Sequence, residues 1–269
     1  MINLKSVIIL CAGFGKRFKP TTNFCPKPLI PINERPIICY LIENYLWNDF
    51  KDFVFVIGHK NNIMRKNLES LQKKYQKKYP DKNINFHFAL NNYVSRGNGY
   101  SGFLGLKKIY QEMIDDRIVL SMGDHLYSYR LIDRLCNQEP IDSDIIIATD
   151  PDLNNSYLDI AEATKIMGDK NGFVVDIGKE INKFNKIDMG VFILKTKILS
   201  LINEIEKEQE IFGWTDVVRR ALTDGLSVNY YDTLEQEWID IDNYYDYKIA
   251  TGLIDNITQN YTSEYEFVE

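Results

Sequence analysis

The sequence predicts an α/β fold, with a central, mixed but mostly parallel sheet that carries helices on both faces. Three observations support this fold class. Apolar, β-rich runs alternate with stretches of helical periodicity from residue 7 to residue 136. Glycine-containing turns follow three of the predicted strands, at Gly13, Gly97 and Gly123. Beyond residue 140 the pattern changes to short apolar runs separated by turn residues, which indicates an antiparallel hairpin.

The first half of the chain alternates strands with helices. Predicted strands cover residues 7–11, 53–57, 84–90 and 117–122, and predicted helices cover residues 37–46, 62–79 and 129–136, with a further helix ending near residue 110. Pro36 stands where the first turn of a helix accepts proline. Because right-handed crossovers join successive parallel strands, this order predicts a sheet whose ligands bind at the carboxyl ends of its strands.

The second half begins with a predicted strand at residues 144–149. Residues 158–167 and 173–181 are predicted to pair as a hairpin around the turn at residues 169–172. The chain then returns to the main sheet at residues 188–194. It continues through helices at 197–208 and 213–223, a strand at 226–231, a strand end at 238–242 and a helix at 244–255.

Composition limits the classes of partner. The chain has 38 acidic and 32 basic residues, and its net charge of −6 argues against nucleic acid as the main partner. Its one basic cluster, at residues 71–82, is interpreted as the solvated face of a helix. Four dispersed cysteines argue against a zinc site or a disulfide framework. No signal peptide is expected and no apolar run approaches about twenty residues, so we predict a cytoplasmic protein with no membrane span.

The first turn has the composition of a phosphate-binding loop. Glycines let backbone N–H groups approach an anion closely because they lack a Cβ atom. Cations on both sides of the same loop add favourable charge. The residues of this segment that we predict to bind a nucleotide are Cys11, Ala12, Gly13, Gly15, Lys16, Arg17 and Lys27.

The spacing of this loop excludes two common phosphate loops. A Walker loop has four residues between its glycines and a Lys-Ser/Thr after the second, and the segment at residues 13–17 has neither. A dinucleotide fingerprint has a third glycine where this chain has Phe18, which argues against a nicotinamide oxidoreductase. A tight turn with incidental cations is the structural alternative.

Carboxylates follow two predicted strands. Asp124 comes after Gly123 at the end of the strand at residues 117–122, where it faces the same crevice as the glycine loop. Asp240 and Asp242 alternate with apolar residues, so both project to one face of a strand end. Carboxylate oxygens placed in this way can hold Mg²⁺ against a triphosphate. The alternative for Asp124 is the N-cap of the next helix.

Two further groups are candidates for substrate contacts. Gly97, Asn98 and Gly99 lie at the end of a predicted strand beside the expected nucleotide, and Ser101 can cap the following helix. Polar residues near strand ends also flank the predicted hairpin, and surface solvation is the alternative explanation for each of them. These residues are Glu162, Lys165, Lys179 and Asp188.

The motifs together resemble a known superfamily, the nucleotidyltransferases that activate phosphorylated sugars and alcohols. Its signature is small-Ala-Gly-x-Gly-x-Arg followed by Pro-Lys-Pro-Leu, as at residues 11–17 and 26–29. The segments GNGYS, MGDHLYS, EATK, IGKEINKFNKIDMGVF and WIDID resemble CTP:inositol-1-phosphate cytidylyltransferases and the related enzymes for phosphocholine and phosphonates. The chain departs from the family on the acceptor side, with Met189 and with Asn243-Tyr244 where relatives often have threonine and Thr-Pro.

This resemblance implies a Rossmann-like nucleotidyltransferase fold that transfers CMP from CTP to a phosphorylated alcohol and releases pyrophosphate. The acceptor would be inositol 1-phosphate or a similar alcohol. Phosphocholine, a phosphonate or glycerol phosphate is the alternative, as is a hexose-1-phosphate uridylyl- or thymidylyltransferase. A non-catalytic nucleotide sensor is the alternative from another class. One domain is expected at residues 1–255, divided into a nucleotide half (1–140) and an acceptor half (141–255), with a tail at 256–269; a homodimer is left open.

The resemblance also assigns roles by position. The residues implied to be catalytic are Arg17, Lys27 and Asp124. Gly97, Asn98, Ser101 and Gly123 join the phosphate loop as nucleotide-binding residues. The implied acceptor contacts are His125, Glu162, Lys165, Lys179 and Asp188, and the implied Mg²⁺ ligands are Asp124, Asp240 and Asp242.

Overall fold

A computed structural model describes residues 4–112, 116–137, 142–233 and 238–258. Its strands are β1 Ser6–Cys11, β2 Pro31–Ile32, β3 Arg35–Pro36, β4 Asp52–Ile57, β5 Asn85–Leu90, β6 Arg117–Met122, β7 His125–Tyr127, β8 Ile145–Asp150, β9 Lys165–Gly168, β10 Val174–Gly178, β11 Lys186–Lys195, β12 Val228–Asp232 and β13 Trp238–Asp240. Its helices are α1 Ile37–Trp47, α2 Asn61–Lys78, α3 Asn98–Glu112, α4 Tyr129–Asn137, α5 Ile198–Glu208, α6 Trp214–Thr223 and α7 Tyr244–Thr258. Most predicted elements are confirmed with small changes at their ends.

Nine strands of the described part of the chain form the central sheet, and the two halves of the sheet differ in strand direction. Strands β5, β4, β1 and β6 lie side by side and run parallel. Strand β11 pairs antiparallel with β6 on one edge and with β8 and β9 on the other. Strand β12 extends the sheet parallel to β8, and β10 extends it antiparallel to β9. The sheet is therefore mixed, and its parallel part carries the phosphate loop.

Helices cover both faces of this sheet, as the sequence predicts. Ile9 of β1 belongs to a buried apolar cluster that includes residues of α1, α2 and α4. Its neighbour Ile8 belongs to a second cluster, which includes residues of α3, α5 and α6. Helix α3 approaches the sheet closely at Gly105, where an added Cβ atom would lie 2.5 Å from Ile8 Cγ2. Successive residues of β1 point to opposite faces, so a continuous apolar run is buried on both sides.

The order of the parallel strands fixes the position of the crevice. Strand β1 lies between β4 and β6. The chain continues from β1 to β4 and β5 on one side and then returns to β6 on the other side, so the carboxyl ends of β1 and β6 border an open space. The loop after β6 is held against β1 by a hydrogen bond of 3.0 Å from Gly123 N to Leu10 O. A Cβ atom at Gly123 would lie 2.5 Å from the same carbonyl oxygen. Only glycine permits this contact, and it places Asp124 beside the phosphate loop.

A small second sheet was missed by the sequence analysis. The sequence analysis assigns no element to residues 125–127, which form β7 and pair antiparallel with β13. The register places Asp240 opposite His125, and Ile241 N donates to Asp124 O over 3.1 Å. Helix α7 packs its Leu253 and Ile254 in the same apolar cluster as Leu126 and Ile239. The pairing brings the C-terminal acids to the end of β6.

The predicted hairpin is shorter than expected. Strand β9 occupies only the last residues of the predicted arm at 158–167, and residues 151–164 form turns. Asp159 accepts hydrogen bonds on its side chain from Ala161 N, at 3.0 Å, and on its carbonyl from Glu162 N and Ala163 N, at 3.1 and 2.9 Å. Such local hydrogen bonds offer the backbone an alternative to a strand.

Three predictions concern the boundary between the two halves of the chain, the C-terminal tail and the end of the last helix. The boundary between residues 140 and 141 lies outside the described residues, and so does the tail from residue 259 onward. Helix α7 extends to Thr258, beyond the predicted end at residue 255. Among the described residues, no helix combines the length and the apolar character that crossing a membrane requires.

Candidate active site

The phosphate loop depends on two glycines in different ways. Gly15 has a left-handed backbone with φ of 58°, and an added Cβ atom would lie 2.8 Å from Thr22 Cγ2. Its carbonyl oxygen accepts hydrogen bonds from Thr22 Oγ1, at 2.8 Å, and from Phe18 N, at 3.0 Å. At Gly13, by contrast, no atom of the described residues lies within 4 Å of an added Cβ atom. Gly15 therefore shapes the turn, whereas Gly13 leaves space open over the loop.

Lys27 is the buried cation at the centre of the site. It begins a 3-10 turn, Lys27–Leu29, and its side chain is 8% exposed. Its ammonium donates to Asp124 Oδ2 over 2.7 Å and to Asp242 Oδ1 over 3.0 Å. The other oxygen of Asp242 accepts a hydrogen bond from Arg17. Two cations and two carboxylates thus form one connected ion-pair network.

The charges of this network reinforce one another. Burial opposes the charged form of Lys27, but Asp124, Asp240 and Asp242 raise the pKa of its ammonium well above the usual value. Burial likewise opposes ionisation of Asp124, but Lys27 and His125 hold the pKa of that carboxyl well below its usual range. Lys27 is therefore protonated at neutral pH and acts through its charge, since it has no free lone pair to accept a proton.

Asp124, His125 and Asp240 form a group that could hold a metal ion, because one ligand atom from each lies within 4.8 Å of the others. His125 Nδ1 lies 3.1 Å from Asp124 Oδ1 and 3.6 Å from Asp240 Oδ1. Asp240 Oδ1 is buried and has no hydrogen-bond partner among the described residues. A buried carboxylate oxygen without a partner is costly unless a cation meets it. These residues therefore fit a divalent cation.

The electrostatics of this group follow from its burial. Burial raises the pKa of Asp240, and the carboxylates of Asp124 and Asp242 raise it further, to about 7. Burial lowers the pKa of His125, but Asp240 and Asp124 reverse this and bring it to about 9. The His125 ring stacks on Trp238 at a centroid distance of 6.0 Å. The His125 imidazolium thus partly compensates a concentration of negative charge, and its ring would have to release a proton before it could bind a metal ion.

Two cavities meet at the ion-pair network. The loop cavity, of about 310 Å³, is lined by Leu10, Cys11, Gly13, Phe14, Gly15, Lys16, Arg17, Lys27, Pro28, Gly123, Asp124 and Asp242. The hairpin cavity, of about 260 Å³, lies on the side of the β9–β10 hairpin. Arg17, Asp124 and Asp242 line both cavities. A group bound in one cavity can therefore meet a group bound in the other at these three side chains.

Most residues of the predicted phosphate loop line the loop cavity, together with Gly123. Ala12 is the exception: it is buried behind the loop, and its carbonyl oxygen accepts a hydrogen bond of 3.0 Å from His59 N. A contact between Ala12 and a nucleotide stays a prediction. Cys11 is buried, and this burial raises the pKa of its thiol well above the usual value.

The predicted base-binding segment makes mainly structural contacts. Asn98 Oδ1 accepts a hydrogen bond from Trp214 N over 2.7 Å, and Asn98 lines the hairpin cavity rather than the loop cavity. Helix α3 begins at Asn98, so Ser101 lies inside the helix and does not cap it. Its hydroxyl accepts from Asn91 Nδ2 over 2.9 Å. A Cβ atom at Gly97 would lie 2.3 Å from Phe212 O. A nucleotide contact for these residues stays a prediction.

Four of the five predicted acceptor residues line the hairpin cavity, namely His125, Glu162, Lys179 and Asp188. The Lys179 ammonium lies 3.8 Å from Glu162 Oε2. Lys165 does not line this cavity, and its ammonium donates to Lys179 O over 2.6 Å. A role for Lys165 with the acceptor phosphate stays a prediction.

Asp188 occupies a distinctive backbone position. It lies beside an irregularity in the pairing of β11 with β8, and its Oδ1 accepts a hydrogen bond of 2.8 Å from Gly190 N. Gly190 has φ of 71°, and an added Cβ atom would lie 2.8 Å from His125 Nε2. Burial raises the pKa of Asp188 to about 6. The bulge therefore brings a carboxyl group with altered acidity to the wall of the hairpin cavity.

The sequence analysis missed several residues that line the hairpin cavity. The aromatic ones are Tyr157, Trp214 and Trp238. Trp238 stands two residues before Asp240 and could have been found through that acid. Tyr157 and Trp214 have no motif beside them, because they reach the cavity from a turn and from the start of α6.

Comparisons with known proteins find sequence relatives that are named as transferases. The chain is 28% identical over 249 residues to a bifunctional IPC transferase and DIPP synthase of Archaeoglobus fulgidus, over 93% of this chain and 44% of that protein. It is 24% identical to a CTP:phosphoglutamine cytidylyltransferase of Campylobacter jejuni, over 72% of this chain and 75% of that protein. The chain spans about half the length of the bifunctional relatives that it matches.

A solved structure has the same fold. The inositol-1-phosphate CTP transferase from T. maritima superposes with a TM-score of 0.77, at 22% identity, over 96% of this chain and 97% of that one. The profile of the nucleotidyl transferase family matches residues 6–255. This match covers the glycine loop, both cavities and the ion-pair network, and the chain therefore belongs to the nucleotidyl transferase family.

Proposed function

We propose that the chain transfers CMP from CTP to a phosphorylated alcohol similar to inositol 1-phosphate, giving a CDP-alcohol and pyrophosphate. The observation that carries this proposal is the ion-pair network of Arg17, Lys27, Asp124 and Asp242 at the meeting point of two cavities. A transfer between two phosphorylated substrates needs such a junction, with a separate space for each reactant. The names of the bifunctional relatives and of the solved inositol-1-phosphate CTP transferase support the choice of substrates.

The reaction needs positioning more than proton transfer. A phosphate oxygen of the acceptor attacks the α-phosphorus of CTP in line, a new P–O bond forms, and the bond to pyrophosphate breaks. A phosphate monoester dianion is already a nucleophile, so no general base is required. Lys27, held in its charged form, stabilises the negative charge that develops at the α-phosphate. Arg17 and the backbone N–H groups of the loop at Gly13 and Gly15 hold the leaving pyrophosphate.

Asp124 and Asp240, with Asp242 nearby, are the proposed ligands of Mg²⁺. When bound, this ion would neutralise phosphate charge and orient the triphosphate. Both carboxylates of the ion-pair network have other partners in the described residues, namely Lys27 and Arg17. Substrate phosphates can take over these cations, because phosphate oxygens offer them equivalent hydrogen-bond acceptors.

On the acceptor side we assign His125, Lys179 and Asp188 to contacts with the phosphorylated alcohol. Gly97, Asn98 and Ser101 are assigned to the cytidine, and Lys165 to the acceptor phosphate, by resemblance alone. We further propose that residues 1–255 act as one domain in the cytoplasm. The oligomeric arrangement proposed for testing is a homodimer.

The decisive experiment measures pyrophosphate release with Mg²⁺ and each of CTP, UTP and dTTP. The acceptor panel holds myo-inositol 1-phosphate, glycerol phosphate, phosphocholine, 2-aminoethylphosphonate and glucose 1-phosphate. We expect release with CTP and a non-hexose acceptor. Release only with glucose 1-phosphate and UTP or dTTP would replace the proposal by a hexose-1-phosphate nucleotidyltransferase. Binding of CTP without release for any acceptor would indicate a nucleotide sensor.

The metal assignment is tested by calorimetry on the unreacted protein. After subtraction of the heat of Mg²⁺ binding to CTP alone, titration of Mg²⁺ into wild type with CTP should give a binding isotherm, and Asp124→Asn should lose it together with activity. Asp133→Asn is the matched control, because Asp133 is an exposed acid on α4 whose side chain bonds to Asn137. An unchanged isotherm in Asp124→Asn would show that the metal has other ligands.

A further inference from the structure

Trp214 is the first residue of α6 and is 3% exposed. Its backbone N–H donates to Asn98 Oδ1, and its ring packs against Phe192 at a centroid distance of 5.6 Å. Its Cε3–Cζ3 edge lies against Gly102 of α3, where an added Cβ atom would be 2.5 Å from Cζ3. The ring is therefore fixed in orientation, with one edge covered by α3.

The opposite edge of the ring carries the indole N–H. Trp214 Nε1 is buried and has no hydrogen-bond partner among the residues that the structure describes. Buried N–H donors nearly always have a partner, so an unpaired one indicates a group that completes it. Trp214 lines the hairpin cavity, and a ligand in that cavity can supply the partner. Trp238, in the same cavity, differs because its Nε1 donates to Asp150 Oδ2 over 2.7 Å.

The same cavity offers a hydrogen-bond acceptor. Asp188 lines it and uses Oδ1 to accept from Gly190 N, and a carboxylate has further lone pairs for a ligand. A hydroxyl group can accept from an indole N–H and donate to a carboxylate at the same time. A quaternary ammonium has neither an N–H group nor a lone pair, so it would leave the indole N–H of Trp214 unpaired.

Building on the proposed function, we infer that Trp214 determines acceptor specificity: its indole N–H donates to a hydroxyl oxygen of the acceptor, and the enzyme selects phosphorylated polyols over phosphorylated quaternary amines. The acids and aromatic rings of this cavity could also surround a cation. The unpaired donor favours the polyol, because a cation does not satisfy it.

The kinetic test uses Trp214→Phe, which removes the N–H group and keeps an aromatic ring against Gly102 and Phe192. We expect the KM for myo-inositol 1-phosphate to rise about tenfold, as for the loss of one hydrogen bond in a closed site. The KM for CTP should stay unchanged, and kcat should change little. Trp47→Phe is the matched control, because Trp47 packs on Tyr129 and lines neither cavity. It should leave all these parameters at their wild-type values.

A second measurement does not depend on the variant folding. In wild-type protein labelled with ¹⁵N-tryptophan, the indole resonance of Trp214, assigned from triple-resonance spectra, should move downfield when myo-inositol 1-phosphate binds in the presence of CTP and without Mg²⁺. Phosphocholine should not produce this shift. An indole resonance of Trp214 that stays in place while the acceptor binds would overturn the inference.

The outcomes separate this inference from the function on which it rests. A wild-type enzyme that releases pyrophosphate from CTP but prefers phosphocholine to every polyol phosphate would overturn the inference and keep the cytidylyltransferase. An unchanged KM in a folded Trp214→Phe variant would do the same. Absence of release with CTP and any acceptor would overturn both.

Discussion

The loop cavity and the hairpin cavity meet at the same side chains but are built differently. The loop cavity draws on four stretches of sequence, and one of them, residues 10–17, supplies more than half of its lining residues, whereas the hairpin cavity draws on eight stretches. In the loop cavity, Lys27 and Arg17 have carboxylate partners. In the hairpin cavity, Trp214 Nε1 and Asp240 Oδ1 have no hydrogen-bond partner among the described residues.

Under the proposed function, this difference separates the binding of the triphosphate from the binding of the acceptor. The triphosphate is a constant, highly charged group, and a short loop with paired cations can be prepared for it in advance. The proposed acceptors vary in shape, and the hairpin cavity that we assign to them combines side chains from many elements, whose unpaired polar groups a bound acceptor would satisfy. We therefore expect mutations in the loop cavity to change catalysis, and mutations in the hairpin cavity to change selectivity and titration.

Lys27→Ala should have the largest effect, and it tests the loop cavity, whose cations already have carboxylate partners. Because Lys27 meets charge that develops in the transition state, kcat should fall about a hundredfold or more. Steady-state pyrophosphate release measures the change, and circular dichroism confirms that the variant is folded. Lys73→Ala, an exposed lysine on α2, is the control and should be normal. Normal turnover in Lys27→Ala would remove Lys27 from the mechanism.

Asp188→Asn tests the titration of one carboxyl group in the hairpin cavity. The pKa of Asp188 is raised to about 6, so the folded protein holds this proton more tightly than the unfolded chain. This group therefore stabilises the fold at low pH, and the contribution is lost as the pH rises from about 4 through 6. Asparagine removes the effect, so the unfolding free energy of the variant relative to wild type should rise by up to about 3 kcal/mol between about pH 4 and pH 7.

Denaturant unfolding at several pH values measures this difference. Asp152→Asn is a suitable control, since Asp152 is an exposed acid in the turns before β9. A difference between Asp188→Asn and wild type that does not vary with pH would mean that Asp188 titrates like a solvent-exposed acid.

Gly97→Ala separates structural glycines from functional ones. Gly97 has φ of 93°, and an added Cβ atom would meet the backbone of Phe212, which cannot give way easily. We expect a loss of about 2–3 kcal/mol of unfolding free energy. Thermal and denaturant unfolding measure it. A stable variant with impaired CTP binding would instead support a direct nucleotide contact at this position.

Gly13→Ala should have the smallest effect on the fold and an effect on function alone. Open space surrounds the position of the added Cβ atom, so stability should change by no more than about 0.5 kcal/mol. The methyl group would occupy the space over the loop, and the KM for CTP should rise about tenfold if phosphate approaches there. Gly252→Ala in α7, which is equally free of contacts, is the control. A normal KM in Gly13→Ala would indicate that the triphosphate lies elsewhere.

The sequence predicts much of the fold and the centre of the site. Strand β1, the turn at Gly15, the cations Arg17 and Lys27, and Asp124 at the end of β6 are all where the sequence places them. These features depend on short stretches, because a buried strand and a left-handed turn each need only a few neighbouring residues.

Other predictions required contacts that the sequence does not reveal. The predicted nucleotide contacts of Asn98 and Ser101 stay predictions, and the sequence does not reveal that Asn98 accepts from the backbone of Trp214 or that Ser101 bonds to Asn91. The predicted phosphate contact of Lys165 also stays a prediction, and the sequence does not reveal that its ammonium donates to the carbonyl of Lys179. In each case the competing partner comes from another part of the chain.

The sequence by itself determined that this protein has an α/β fold with a phosphate loop after its first strand, because local composition sets strand period and turn geometry. Only the tertiary structure decided that Asp240 lies opposite His125, that Asp242 joins Lys27, and that Trp214 lines the hairpin cavity while its indole N–H has no partner among the described residues. These arrangements depend on the pairing of β7 with β13 and on the packing of α6 against α3. Both join residues more than a hundred positions apart, and their geometry depends on how the whole chain packs.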